Sequence, residues 1–180
     1  PKIRATVERA LDLWRSGEKV LIFCFYVETG RALRREISAA MERDLFETAA
    51  RYLELDPSDR EAITERIERT KVNILTVDSG ARRTLEKQLE ELAAKYRFTS
   101  EESEAFTDAV LRFLRTESFL VRHVFPHGVG SAALAPALEE VDGAGRNMWD
   151  KLEKFAERLS QLSQAQRVKT LEALNHIKTG

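Results

Sequence analysis

From Met41 onward, apolar side chains recur three or four residues apart along nearly the whole chain. This spacing places side chains on one face of an α-helix, whereas a half-buried strand would alternate apolar and polar residues. Glycine and proline are also scarce, with eight and four residues among 180, which disfavours a loop-rich fold. We therefore expect a mainly α-helical protein with a multi-helix bundle over residues 43–180.

Start and stop signals divide this region into separate helices. Ser58 with Glu61, and Thr99 with Glu102, have the spacing of a capping box, in which two side chains satisfy free backbone amides at a helix start. Pro126 is expected to end or kink the helix that begins near Thr99.

Two stretches are less regular. Residues 71–77 contain Val, Ile and Thr, which are frequent in strands, but we favour continuation of the preceding helix. Residues 127–146 contain four glycines and a proline, so we predict a flexible loop there that divides the bundle, with a short helix over 134–141.

One apolar run near the start of the chain breaks the helical pattern. Residues 19–25, Lys-Val-Leu-Ile-Phe-Cys-Phe, are rich in β-branched and aromatic side chains, which is typical of a strand covered on both faces. Helical spacing precedes the run over residues 2–15 and resumes at Leu33 and Ile37. The predicted fold class is therefore mainly α with a minor α/β element that contains one buried strand at about 19–25.

This opening resembles a known family. The helix, the Gly-Glu-Lys-Val-Leu-Ile-Phe run at 17–23 and the helix that follows are similar to the motif IV region of superfamily 2 helicases and chromatin-remodelling-type ATPases. The similarity spans about residues 2–42. It implies that residues 1–42 are a partial RecA-like segment, the start of the second RecA-like domain, and that residues 43–180 are a large helical insertion.

The resemblance also implies a function. The parent protein would be a helicase or translocase that couples hydrolysis of ATP, bound with Mg²⁺, to movement on DNA or RNA. The turn after motif IV lies near the nucleic-acid backbone in such proteins, which makes Tyr26, Thr29, Gly30 and Arg31 the candidate nucleic-acid-binding residues. A hydroxyl, a glycine and free amides at a helix start suit a phosphate.

Other helicase motifs are absent from these 180 residues, including the phosphate-binding loop and the acidic magnesium motif. We therefore expect no cofactor and no catalysis in this chain, which opens on Pro1 rather than Met and is expected to be a piece of a longer protein. The helical part would contact nucleic acid or a protein partner. Uncovered edges of the predicted strand would favour a homodimer caused by truncation.

The alternative is a self-contained helical protein-interaction module without catalytic activity, in which the likeness to motif IV is a coincidence. In both cases the near balance of 29 basic and 30 acidic side chains argues against bulk attraction to nucleic acid or membrane. The balance hides basic ends and an acidic region over residues 98–145, so local phosphate contact stays open. We expect a cytoplasmic protein with no membrane segment.

Few residues qualify for chemistry. Cys24 lies in the predicted strand, where burial would leave its thiol unreactive. Arg122 and His127 have a spacing similar to the R-x4-H motif of HEPN-type ribonucleases, but Pro126 would break a helix that carried both. His123 and His176 have no carboxylate or cysteine at the spacing of a metal ligand, so we interpret them as ordinary surface or boundary residues. The sequence therefore predicts neither a metal site nor a catalytic residue.

Overall fold

The computed structural model describes residues 2–16, 20–76 and 79–175. The described chain is helical and contains no strand. The longer helices are α1 (Lys2–Arg15), α2 (Val27–Leu53), α3 (Arg60–Asn73), α4 (Gly80–Lys95) and α5 (Ser100–Phe113). They are followed by the short α6 (Glu117–Phe119) and α7 (Leu134–Glu139), and then by α8 (Met148–Ser160) and α9 (Gln164–Asn175).

The predicted buried strand is wrong. Residues 20–26 have no regular secondary structure, and Leu21, Phe23 and Phe25 are 78%, 89% and 96% exposed; Lys19 lies outside the described residues. A strand needs a neighbouring strand to pair its backbone, and no other described segment forms one. The run therefore has the composition of a strand inside a sheet, but the described chain contains no sheet for it to join. Cys24, predicted to be buried, is exposed for the same reason.

Helix boundaries follow the sequence signals in part. The capping box at Thr99 and Glu102 is confirmed, since each side chain accepts a hydrogen bond from the other residue's backbone amide. The box at Ser58 and Glu61 is wrong, because the Asp59 side chain accepts from Ala62 N and starts α3 instead. α3 ends at Asn73, so the favoured helix continuation over residues 71–77 is confirmed only for 71–73; residues 74–75 form a turn. Val77 is outside the described part of the chain.

Two longer-range expectations also differ. α2 is one uninterrupted helix, so the predicted domain boundary at 42/43 falls inside it; the division into two domains stays a prediction. The helix opened by Thr99 ends at Phe113, well before Pro126, which instead lies in a 3₁₀ turn over Phe125–His127. Within the predicted loop 127–146 the described chain forms a 3₁₀ turn and α7.

The hydrophobic core belongs to a helical body made from the end of α2 through α9. Six of its largest fully buried side chains come from five different helices, so the core is shared among all of them. They are Phe106, Phe119, Ile63, Ile67, Leu89 and Leu171. The N-terminal arm, defined as α1, residues 20–26 and the first half of α2, lies outside this core; its buried residues are Ala10, Leu33 and Ala40.

A buried ion pair fixes α9 to the start of α5. Glu102 is 1% exposed, and its Oε1 lies 3.0 Å from Arg167 Nε. Neither atom has a hydrogen-bond partner of its own, so each charge depends on the other for compensation. The second carboxylate oxygen accepts from Thr99 N at 2.9 Å, where the helix dipole also favours a negative charge.

Replacing Glu102 by Gln should lower the free energy of unfolding by about 3 kcal/mol, because it leaves the Arg167 charge buried and unpaired. Urea unfolding followed by circular dichroism measures this change. The matched control, Glu104→Gln, alters an exposed residue of the same helix and should change stability by no more than about 0.5 kcal/mol. Equal stability of the two variants would contradict the role given to the pair.

Candidate functional site

A polar cleft of about 640 Å³ lies between the end of α1, the second half of α2, and the segment that enters α8. Its charged walls carry four cationic and four acidic side chains together with His123. These are Arg15, Arg51, Arg122, Lys151, Asp44, Glu47, Glu140 and Asp142. Because the charges balance, the cleft as a whole has no strong preference for an anion or a cation.

A π-helical turn over Leu120–Val124 presents Arg122 and His123 to this cleft. The turn closes with a hydrogen bond from Phe125 N to Leu120 O, one residue wider than in an α-helix. Leu120, Val121 and Val124 are buried and anchor the turn in the body. Such turns are rare and are frequently found at functional sites.

The Arg122 guanidinium joins the N-terminal arm to the body. Its Nη2 donates to the carbonyl oxygens of Trp14 and Arg15 at 3.0 and 2.9 Å, and its Cζ lies 4.6 Å from the centre of the Trp14 ring. Burial lowers the pKa of Arg122, but a guanidinium stays charged at neutral pH. A cation at carbonyls of the last turn stabilises the C-terminal end of α1.

A second contact supports the same junction. Arg15 donates to Asp44 Oδ1 through Nε at 2.8 Å and through Nη2 at 2.5 Å. The hydrogen bond to Asp44 raises the pKa of Arg15. Because Arg15 ends α1 and Asp44 lies in the second half of α2, this contact joins the end of α1 to the middle of the longer helix.

His123 is the titratable group that lies deepest beside the cleft. Burial lowers its pKa, and the nearby positive charges of Arg122 and Lys151 lower it further. The imidazole is therefore neutral at pH 7 and packs against Phe119, with 5.3 Å between the ring centres. No described carboxylate makes a hydrogen bond to this ring, so the base-and-orienter pair of a catalytic histidine is missing.

Asp142 stabilises the loop that precedes α8, at the edge of the polar cleft. It accepts hydrogen bonds from Ala144 N at 2.9 Å and from Arg146 N at 3.0 Å, and its Oδ2 lies 3.2 Å from Lys151 Nζ. The bond from the Arg146 backbone, followed by Lys151 and Ala144, lowers the pKa of Asp142 to about 2. The carboxylate thus builds the turn into α8 and is committed to that structural role.

The predicted nucleic-acid residues lie elsewhere, at the start of α2. Tyr26 is the N-cap residue and makes no side-chain capping bond. Thr29 and Arg31 are exposed, and Arg31 Nη1 donates to Glu28 Oε1 at 2.9 Å. Gly30 lies beside Cys24. The structure brings these four residues together on adjacent helical turns, and none of them lines the polar cleft; their contact with nucleic acid stays a prediction.

Arg122 and His127 do not share the cleft. Arg122 faces the α1 carbonyls, whereas His127 Nε2 lies 3.4 Å from Glu140 Oε2 and is not among the cleft residues. Sequence reasoning considered Arg122 only in that spacing and missed its capping role. No local pattern marks that role, because the carbonyls that it caps lie more than 100 residues away. His176 is outside the described residues.

Chemically, the cleft is a junction of paired charges. Among the described residues no group of His, Cys, Asp and Glu could hold a metal ion, and no helix is long and apolar enough to cross a membrane. The Cζ atom of Arg51 lies 5.5 Å from the centre of the Tyr52 ring. The geometry supports the attachment of the arm, and the described residues that line the cleft include no hydrogen-bonded pair of nucleophile and base.

The comparisons with known proteins do not assign this chain to a family. No family model matches it, and neither does a curated protein or a solved structure.

Replacing Arg122 by Met should release α1 from the body, because two charge-assisted hydrogen bonds and the contact with Trp14 are lost, a change of about 2 kcal/mol in local stability. Hydrogen exchange should then speed up across residues 3–15. Arg51→Met, in the same cleft but without carbonyl contacts, is the control. Unchanged protection of α1 in the Arg122 variant would refute the capping role.

The loop held by Asp142 should be sensitive to acid. A folded-state pKa of about 2 lies below the ordinary value, so ionised Asp142 stabilises the loop above about pH 4, and this contribution is lost as the pH falls toward about 2. Titration of the Asp142 carboxyl carbon by NMR should give a midpoint near that value. A midpoint close to 4 would show that the backbone hydrogen bonds do not form in solution.

Proposed function

We propose that this chain is part of a helicase-type ATPase or nucleic-acid translocase, and that its contribution is contact rather than catalysis. The proposal starts from the resemblance of residues 2–42 to the motif IV region. In the proposal ATP and Mg²⁺ bind to other parts of the parent protein. The N-terminal arm packs against that ATPase, and the helical body contacts nucleic acid or a protein partner.

The observation that carries the proposal is the exposure of the apolar segment 20–25. Leu21, Phe23 and Phe25 are more than three-quarters exposed, although covering each such side chain is worth about 1.5–3 kcal/mol. A contiguous exposed apolar segment marks an interaction surface. The described helices before and after the segment are both anchored, since Arg122 and Asp44 contact the end of α1 and the long helix α2 begins at Val27.

The start of α2 supports the nucleic-acid part of the proposal. Tyr26 and Thr29 are exposed there, and the first backbone amides of a helix attract phosphate. Arg31 adds a positive charge that Glu28 partly offsets. Such a site would contact the sugar-phosphate backbone and would not distinguish between bases.

The test uses the parent protein with Phe23 and Phe25 both changed to Ser. We expect nucleic-acid-stimulated ATP hydrolysis to fall about tenfold or more, since the arm loses the apolar contacts that seat it on the ATPase. The matched control changes Val72 and Val141, which are 67% and 62% exposed elsewhere on the chain, to Ser and should leave the activity unchanged.

A second function, a self-contained helical protein-interaction module, is favoured by one observation. The core of the body is closed within residues 49–171 and does not include the arm. A parent protein without nucleic-acid-stimulated ATPase would overturn the helicase proposal and favour this module. An ATPase that tolerates the double Phe substitution would instead overturn the role given to the apolar segment.

A further inference from the structure

A second concavity differs in character from the polar cleft. It is a groove of about 360 Å³ between the second half of α5 and the first half of α8, closed at one end by Leu174 of α9. Met148 and Lys151 line both the groove and the cleft, so the two lie side by side. The volume is in the range of small-molecule sites in proteins.

The walls of the groove are apolar. α8 contributes Met148, Leu152 and Phe155, which lie on one face of the helix. α5 contributes Val110 and the small side chain of Ala109, which leaves room where a larger residue would fill the space. A groove with such walls gives water few hydrogen-bond partners, so an apolar occupant replaces that water favourably.

The polar groups at the rim of the groove differ in whether they already have a hydrogen-bond or ion-pair partner. Arg112 is exposed and has no carboxylate within ion-pair distance among the described residues. Lys151 is already paired, because its Nζ lies 3.2 Å from Asp142 Oδ2. The Thr116 hydroxyl accepts from Phe119 N and donates to Phe113 O. The rim therefore presents one uncommitted cation and no uncommitted acceptor.

We propose that this groove binds a single-chain amphiphile with a carboxylate head, such as a medium-chain fatty acid. The aliphatic tail lies against Val110, Leu152 and Phe155, and the carboxylate pairs with Arg112. An apolar trough with one free guanidinium at its edge matches that chemistry, because a planar fork of donors suits a carboxylate. The proposal goes beyond the function proposed above and does not rest on it.

Titration calorimetry of this chain with decanoate, below the concentration at which decanoate forms micelles, tests the proposal. We expect decanoate to bind, whereas butyrate, which lacks the tail, and decyltrimethylammonium, which has the opposite charge, should not. Absence of decanoate binding, or equal binding of decyltrimethylammonium, would overturn the proposal.

Variants then locate the site. Arg112→Gln should weaken decanoate binding about tenfold, and Ala109→Leu should weaken it by filling the groove. Arg83→Gln, an exposed change on α4, should have no effect. Because Arg112 is exposed, its variant decides the question even where Ala109→Leu fails to fold. Loss of binding in the Phe23→Ser, Phe25→Ser variant, with full binding in Arg112→Gln, would place the ligand on the apolar segment instead and refute the groove.

Discussion

The contact of Arg122 with the end of α1 is the interaction on which the relation between the arm and the body depends. A helix leaves its last carbonyls without partners, and here a single guanidinium satisfies two of them and covers the Trp14 ring. The donor comes from a π-helical turn whose three aliphatic side chains are buried. Arg122 therefore attaches α1, which lies outside the core, to the helical body. The polar cleft lies at this junction.

The same principle recurs within the body. Arg115 Nη2 donates to the carbonyl oxygen of Leu75, just beyond α3, at 2.6 Å, and burial lowers the pKa of this arginine. Glu102 acts at an N-terminal helix end, the start of α5, and pairs with Arg167. Arg122, Arg115 and Glu102 therefore act at helix ends, where backbone groups are free, and most exposed i, i+4 pairs contribute little.

The exposed apolar segment is the feature that the body does not explain. Leu21, Phe23 and Phe25 are exposed and do not belong to the core. The polar cleft and the apolar groove, in contrast, follow from the packing of the body: paired charges line the first, and the α8 face with a small residue on α5 lines the second. The cleft and the groove adjoin at Met148 and Lys151, whereas the apolar segment lines neither of them.

Periodicity and caps depend on neighbours within one turn, so the amino-acid pattern correctly predicted the helical class, the capping box at Thr99 and the helical character of residues 2–15. The pattern could not show whether residues 20–25 form a strand, since that state requires partner strands that the described chain lacks. The continuity of α2, the π-helical turn and the capping by Arg122 were not predicted. These three features depend on contacts between residues far apart in the chain, and they are visible only in the folded molecule.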